Sequence, residues 1–523
     1  MASTRFLAPL LLLLVSGAAA AHVETKLYAT SPRAMTILGQ DMQDYTGDHF
    51  VFNGAIPWYP YSVDVGVGTP AQTQSMALTV QHGESWVLWS EHCLPRDDIN
   101  PNRTSYYRNC SSGSFDDVKS SSFAYNETGR YYGSFASGRE AGVDGFVMQD
   151  TVHIGGAEWS NTTMGLGTWA ELDTGFFGLG RPWLYPNGQN ATGSGQATML
   201  DQMVAHRVID SPAFSIYADN RLLLNSTTGG GGEATRREIG SILFGAVDRS
   251  KYDGPLKRIQ ASYGRDKVSG SSWERAPGYF ANVTGFWTRD AAGKDRPVGT
   301  RGSQIYAAVN PTFAISNLPS DVAAELYRAV GSVAYLAYVN LKAVLCDRIP
   351  DLRGSFGVEL GGAGGYRLEV PLRDLVVPPE AFHMVLKGRW DGSEGEKYCL
   401  LAVQEEARRN QYYRYDYQNS GPEWVIGSMM LRGTYAVFDS ENMEVSLAPL
   451  KAGGGGRAAD IVAFGSAGAH APDSEFVGYE ECFVKSCQKK EDEDEKNGGL
   501  RVDVQTGLLV SSALAALGFI LVG

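Results

Sequence analysis

Basic charge, histidine and cysteine are all scarce in this chain of 523 residues, and each shortage removes a class of function. Lys and Arg number 45 against 58 Asp and Glu, a net charge of −13. So acidic a surface repels a phosphate backbone, and nucleic acid is not an expected partner. The six cysteines and eight histidines form no compact cluster with metal-ligand spacing, so neither a metal centre nor a cofactor is expected. A G-x-S-x-G elbow and an H-E-x-x-H signature are both missing, which removes the serine hydrolase and zinc peptidase readings. What the chain does have in plenty is glycine (62) and aromatics (11%), a balance that suits strands and turns better than helices.

The two ends carry targeting signals. Residues 1–21 read as a signal peptide: Arg5, an apolar run from Leu7 to Val15, then the small residues Ala18 to Ala21. That run is too short to span a bilayer. Entry into an oxidising route makes disulfides the expected state of Cys93, Cys110, Cys346, Cys399, Cys482 and Cys487. The same route makes the N-x-[ST] triplets at Asn102, Asn109, Asn126, Asn161, Asn190, Asn225 and Asn282 candidate glycosylation sites. At the other end, residues 451–506 are Gly/Ala-rich and then acidic, with Glu491 to Glu495 a solvated run. An apolar stretch, 507–523, closes the chain with no basic residue after it. Small residues at Asn497-Gly498, a polar spacer and an apolar end are the elements of a GPI signal, with Asn497 and Gly498 the candidate attachment sites. A transmembrane helix is the alternative.

The most informative stretch is Tyr61 to Trp89, YSVDVGVGTPAQTQSMALTVQHGESWVLW. Tyr61, Val63, Val65 and Val67 alternate as in a half-buried strand, Gly68-Thr69-Pro70 turns the chain, and Met76 to Val80 carries it back. It resembles the pepsin-like aspartic proteases, in which such a hairpin leads into the catalytic D-T-G-S loop. Here Gln81-His82-Gly83-Glu84 stands where that loop is expected. The second loop of the family is best matched by Val309-Asn310-Pro311-Thr312-Phe313, followed by Ile315 to Pro319 and a helix-like run. Asn310 falls on the second aspartate. Gln81 and Asn310 are therefore expected to face each other at the degenerate dyad positions, with Gly83 and Thr312 beside them. Asp173-Thr174-Gly175 spells the catalytic triplet, but FFGLGRPW follows it, resembling a segment the family uses for structure beneath its active-site loops.

Further matches come in family order. Ser211 to Tyr217 resembles the strand closing the first lobe, Gly240 to Asp248 the opening of the second, and Trp424 to Arg432 with Val445 to Pro449 the closing strands. The resemblance implies a mainly β, bilobal acid-protease fold, two β-barrel-like lobes flanking a central cleft. It divides the chain into a propeptide or N-terminal strand at 22–54, a first lobe at 55–235 and a second at 236–450. It also implies pairing of Cys346 with Cys399, with Cys93–Cys110 closing the loop after the first active-site strand and Cys482–Cys487 a small loop in the tail. Tyr132 is either the cleft-covering flap tyrosine or a packed strand aromatic.

In the active family two close carboxylates share one proton and activate a water. Neither Gln81 nor Asn310 titrates in an accessible range. Two function classes remain: a secreted, surface-anchored monomer that keeps the cleft for binding a peptide or protein, or as a structural module, and an active aspartic endopeptidase whose loops lie elsewhere.

Overall fold

The computed structural model describes residues 21–29, 36–43, 49–55, 60–93, 110, 112–134, 142–170, 174–181, 197–219, 237–267, 273–299, 305–332, 334–336, 341–362, 364–378, 395–405, 424–453 and 456–477. The chain divides at Val477, and residues 478–523 form a separate unit beyond the described residues. That unit holds Cys482, Cys487, Asn497, Gly498 and the apolar end; Asn102, Asn109, Asn190 and Asn225 also lie outside the description.

The fold is mainly β, as the alternating patterns predict. The hairpin forms as read: strand Tyr61–Val67 pairs antiparallel with Gln72–Thr79, from Ser62↔Ala77 to Val67↔Gln72, and Gly68 takes φ 96° at the turn. Tyr61, Val63, Val65 and Val67 are all buried, but so is Ser62 on the opposite face, because the strand is covered on both sides. A second hairpin joins Ala124–Ser134 to Gly142–Ile154, and a third joins that strand to Ala157–Ala170. Helices are few among the described residues. Met199–Ala205 is capped by Thr198, whose hydroxyl accepts from Asp201 N, and Ser320–Val330 follows Pro319 and ends on left-handed Gly331.

Strands from both halves of the chain meet in one sheet. Ala213–Ala218 lies between Glu238–Phe244 and Thr434–Asp439. Thr434–Asp439 continues to Glu444–Pro449, and that strand to Leu256–Lys267. On the far side of Glu238–Phe244 lies Val23–Ala29, paired from Val23↔Phe244 to Leu27↔Gly240, with Val23 and Leu27 buried. The first residues of the 22–54 segment are thus a strand built into the sheet. A buried relay fastens the middle: Tyr435 donates to Ser215 Oγ (2.7 Å), accepts from Asp248 N (2.9 Å), and Ser215 donates to Ala246 O (3.0 Å).

One boundary moves. The sequence places the end of the fold at 450, yet Ile461–Ala463 pairs with Ala246–Asp248 and Ser474–Phe476 runs parallel to Leu256–Lys267. Phe464 and Ala471 are buried in the cluster containing Tyr252 and Tyr435. Glycine-rich composition hid this segment, whose strands span three residues each.

Candidate active-site loops

The two loops that the sequence singles out are built alike. Each begins at the end of a strand lying parallel to a short glycine-ended strand. In the first lobe Thr79 pairs with Gly178, in the second Asn310 with Gly427. Each loop then enters a strand antiparallel to the same glycine-ended strand, through Trp86↔Phe176 and Asn317↔Val425. The hydrogen bonds repeat as well. Gln81 N donates to Thr79 Oγ1 at 3.2 Å, and Thr312 N to Asn310 Oδ1 at 3.0 Å. Gly178 N donates to Ser85 Oγ, and Gly427 N to Ser316 Oγ, both at 2.9 Å.

Four correspondences agree that the counterpart of Asn310 is Thr79. Gln81 corresponds instead to Thr312. The expectation that Gln81 faces Asn310 is therefore corrected by two positions, while Asn310 keeps its assigned place in the second loop. The physical reason lies in Gly83. A Cβ there would come within 2.5 Å of Thr198 Cγ2 and 2.7 Å of Gly180 O, so this glycine serves close packing in the middle of the loop. Aligned on the glycine, the sequence slides the loop forward; aligned on the strand end, it does not. A legible signal was the equal spacing from Thr79 to Ser85 and from Asn310 to Ser316.

The loops meet at the Thr312 hydroxyl. Val80 N donates to Thr312 Oγ1 at 3.1 Å across the two lobes, and Thr312 Oγ1 donates to Asn310 Oδ1 at 2.8 Å. Because Oδ1 receives two donors, the Asn310 amide has a defined orientation, and its Nδ2 is enclosed without a partner. Thr79 is fully buried and Asn310 is 1% exposed, so neither offers accessible surface to a reacting water.

Around the first loop the groups are neutral or enclosed. Burial pushes the His82 imidazole down to about 4, leaving it uncharged at neutral pH. Glu84 is buried, and Tyr131 is held well above the ordinary tyrosine range by burial and, secondarily, by the Glu84 carboxylate. Tyr132 pairs with Asp144 in the Ala124–Ser134 hairpin, and its side chain lies outside the described residues. Its neighbour Tyr131 is the fully enclosed one, packed where a Cβ on Gly165 would come within 2.5 Å of its ring.

The segment after the Asp173-Thr174-Gly175 triplet lies beneath the first loop. Thr174 is buried and donates to Ser75 O at 3.0 Å. Added Cβ atoms on Gly175, Gly178 and Gly180 would stand 2.5 Å from Trp86 O, 2.2 Å from Glu84 O and 2.6 Å from Val80 O. Only glycine allows the two backbones to pass so closely. Asp173 lies outside the described residues.

Two disulfides match the expected pairs: Cys93–Cys110 and Cys346–Cys399. Among the described residues no group of three or more His, Cys, Asp or Glu is placed to hold a metal ion.

Comparison with known proteins agrees with this architecture. The model of the family described as eukaryotic aspartyl protease matches residues 60–450. Aspartic proteinase yapsin-3 of Saccharomyces cerevisiae is 24% identical over 413 residues, 77% of this chain and 68% of its own. Barrierpepsin of the same yeast is 24% identical over 74% of this chain and 60% of its own. An acid protease of Saccharomycopsis fibuligera is 25% identical over 75% of this chain and 81% of its own.

Proposed function

Because this chain belongs to the eukaryotic aspartyl protease family, we propose that it keeps the family's bilobal fold as a binding or structural module without its peptidase chemistry. The carrying observation is the pair Thr79 and Asn310 at equivalent ends of the two loops. A hydroxyl and an amide can hydrogen-bond a water, but neither can take its proton at any pH at which the protein is folded. General acid–base transfer contributes about 10²–10⁴-fold in such reactions, and here both partners of it are missing. The enclosure of both side chains favours the same reading.

The test is a purified protein presented with an unfolded polypeptide substrate from acidic to neutral pH. No cleavage is expected, and no retention on an immobilised hydroxyl-bearing transition-state mimic. Acid-dependent cleavage blocked by that mimic would overturn the reading. A control arm carries Thr79→Asp with Asn310→Asp beside Gln81→Asp with Asn310→Asp. Only the first pair is expected to behave as a coupled carboxylate pair, with a thermal midpoint that falls as pH rises above the ordinary carboxylate range. Two enclosed acids take up protons that the unfolded chain has already released.

The same reading places the protein on the secretory route, glycosylated and held at a membrane by a GPI anchor replacing the apolar end. Support comes from the end sequences and the bridged cysteines. No described helix is long and apolar enough to cross a membrane. Release from membranes by a GPI-specific phospholipase is the expected result. Retention, with the peptide 507–523 still attached, would mean a helical anchor.

A further inference from the structure

Asn282, on the strand Trp273–Arg289, stands directly opposite Tyr306 on the antiparallel strand Ile305–Asn310. Directly opposed residues of an antiparallel pair project from one face, with Cβ atoms about 4.5–5.5 Å apart. Tyr306 is 41% exposed, one of few large apolar side chains left to solvent among the described residues. Asn282 is half-buried, and its Oδ1 is enclosed without a partner, so the exposed end of the amide is its nitrogen. Thr284, exposed, completes the triplet Asn282-Val283-Thr284, while Val283 is turned into the core.

We propose that Asn282 carries an N-linked glycan and that Tyr306 is the platform on which its first sugar lies. This rests on the secretory reading given above. In the attachment, Asn282 Nδ2 forms a bond to the anomeric carbon of a lipid-linked oligosaccharide diphosphate. The carbon–oxygen bond to the diphosphate breaks, the diphosphate leaves with the electron pair, and the amide loses one proton. With Oδ1 enclosed in the finished sheet, the transfer takes place on the chain before these strands have paired. Afterwards the cross-strand spacing brings the C–H face of the pyranose over the electron-rich face of the tyrosine ring. The sugar thereby covers apolar surface that the protein alone leaves in water. It also braces the strand that ends at Asn310, four residues on, about 13 Å along an extended chain.

The experiment expresses the full chain in a eukaryotic secretory host and maps glycopeptides by mass spectrometry. Asn161, exposed at an irregularity in the strand Ala157–Ala170 with φ 57°, is the internal reference for passage through the glycosylating compartment. Thermal midpoints are then compared for wild type, Tyr306→Ala, Thr284→Ala and the double variant. Thr284→Ala removes the triplet without touching Asn282. Occupied Asn282 is expected, with Tyr306→Ala lowering the midpoint by about 1–2 °C in the glycosylated protein. In the Thr284→Ala background that effect should vanish, and trimming the glycan to its first sugar should preserve it. A bare Asn282 overturns the proposal; if Asn161 is bare as well, the secretory reading has failed with it. An occupied Asn282 with the same Tyr306→Ala shift in both backgrounds overturns the stacking.

Discussion

At the scale of single residues, the loops show how far side-chain identity can be trusted without register. Asn310 was legible because a strand leads straight into it and a proline-led helix follows. Thr79 was not, because Gly83 looks like the glycine of the missing motif while serving a packing contact with Thr198 and Gly180. His82, inside that same loop, carries a measurable consequence. Its imidazole is lowered from 6.5 to about 4 by burial, so below pH 6.5 the unfolded chain binds a proton that the folded chain refuses. Stability is full above that pH and declines as pH falls towards 4. The loss approaches roughly 3 kcal/mol at most, and partial solvent contact keeps it smaller. His82→Gln is expected to flatten the pH dependence of thermal unfolding across that window. An unchanged profile would show that other groups set it.

At the scale of elements, period-two alternation named the strands of the first hairpin, and the turn residues placed its reversal. Composition failed where strands are short. Residues 451–477 look like the beginning of a solvated tail, but they are held as a strap. Arg249 N donates to Asp460 O and Asp460 N to Asp248 Oδ1, both at 2.9 Å. His470 Nδ1 lies 2.9 Å from Glu444 Oε2, and Lys257 reaches Glu475 at 2.5 Å. Glu444, itself buried, also pairs with Arg258 at 3.0 Å. Burial of Phe464 and Ala471 adds to these contacts, and losing one large apolar side chain costs about 2–4 kcal/mol. A chain ended after Leu450 is therefore expected to unfold at a distinctly lower temperature than one ended after Val477. Equal midpoints would mean that the strap adds nothing.

At the scale of the whole molecule, the order of motifs gave the two-lobed plan, because each lobe repeats one arrangement of strand, loop and glycine-ended strand. What no motif shows is how the halves share a sheet. Val23–Ala29 and Ala213–Ala218, from the first half, are interleaved with Glu238–Phe244 and Thr434–Asp439, from the second. A scission placed between Ala218 and Glu238 would leave both new ends on strands already bonded to each other, with Ala213–Ala218 still held by Thr434–Asp439. The molecule is thus a natural candidate for fragment complementation. Its two pieces, produced separately, are expected to co-elute as one species in size-exclusion chromatography, each serving as the template on which the other completes its folding.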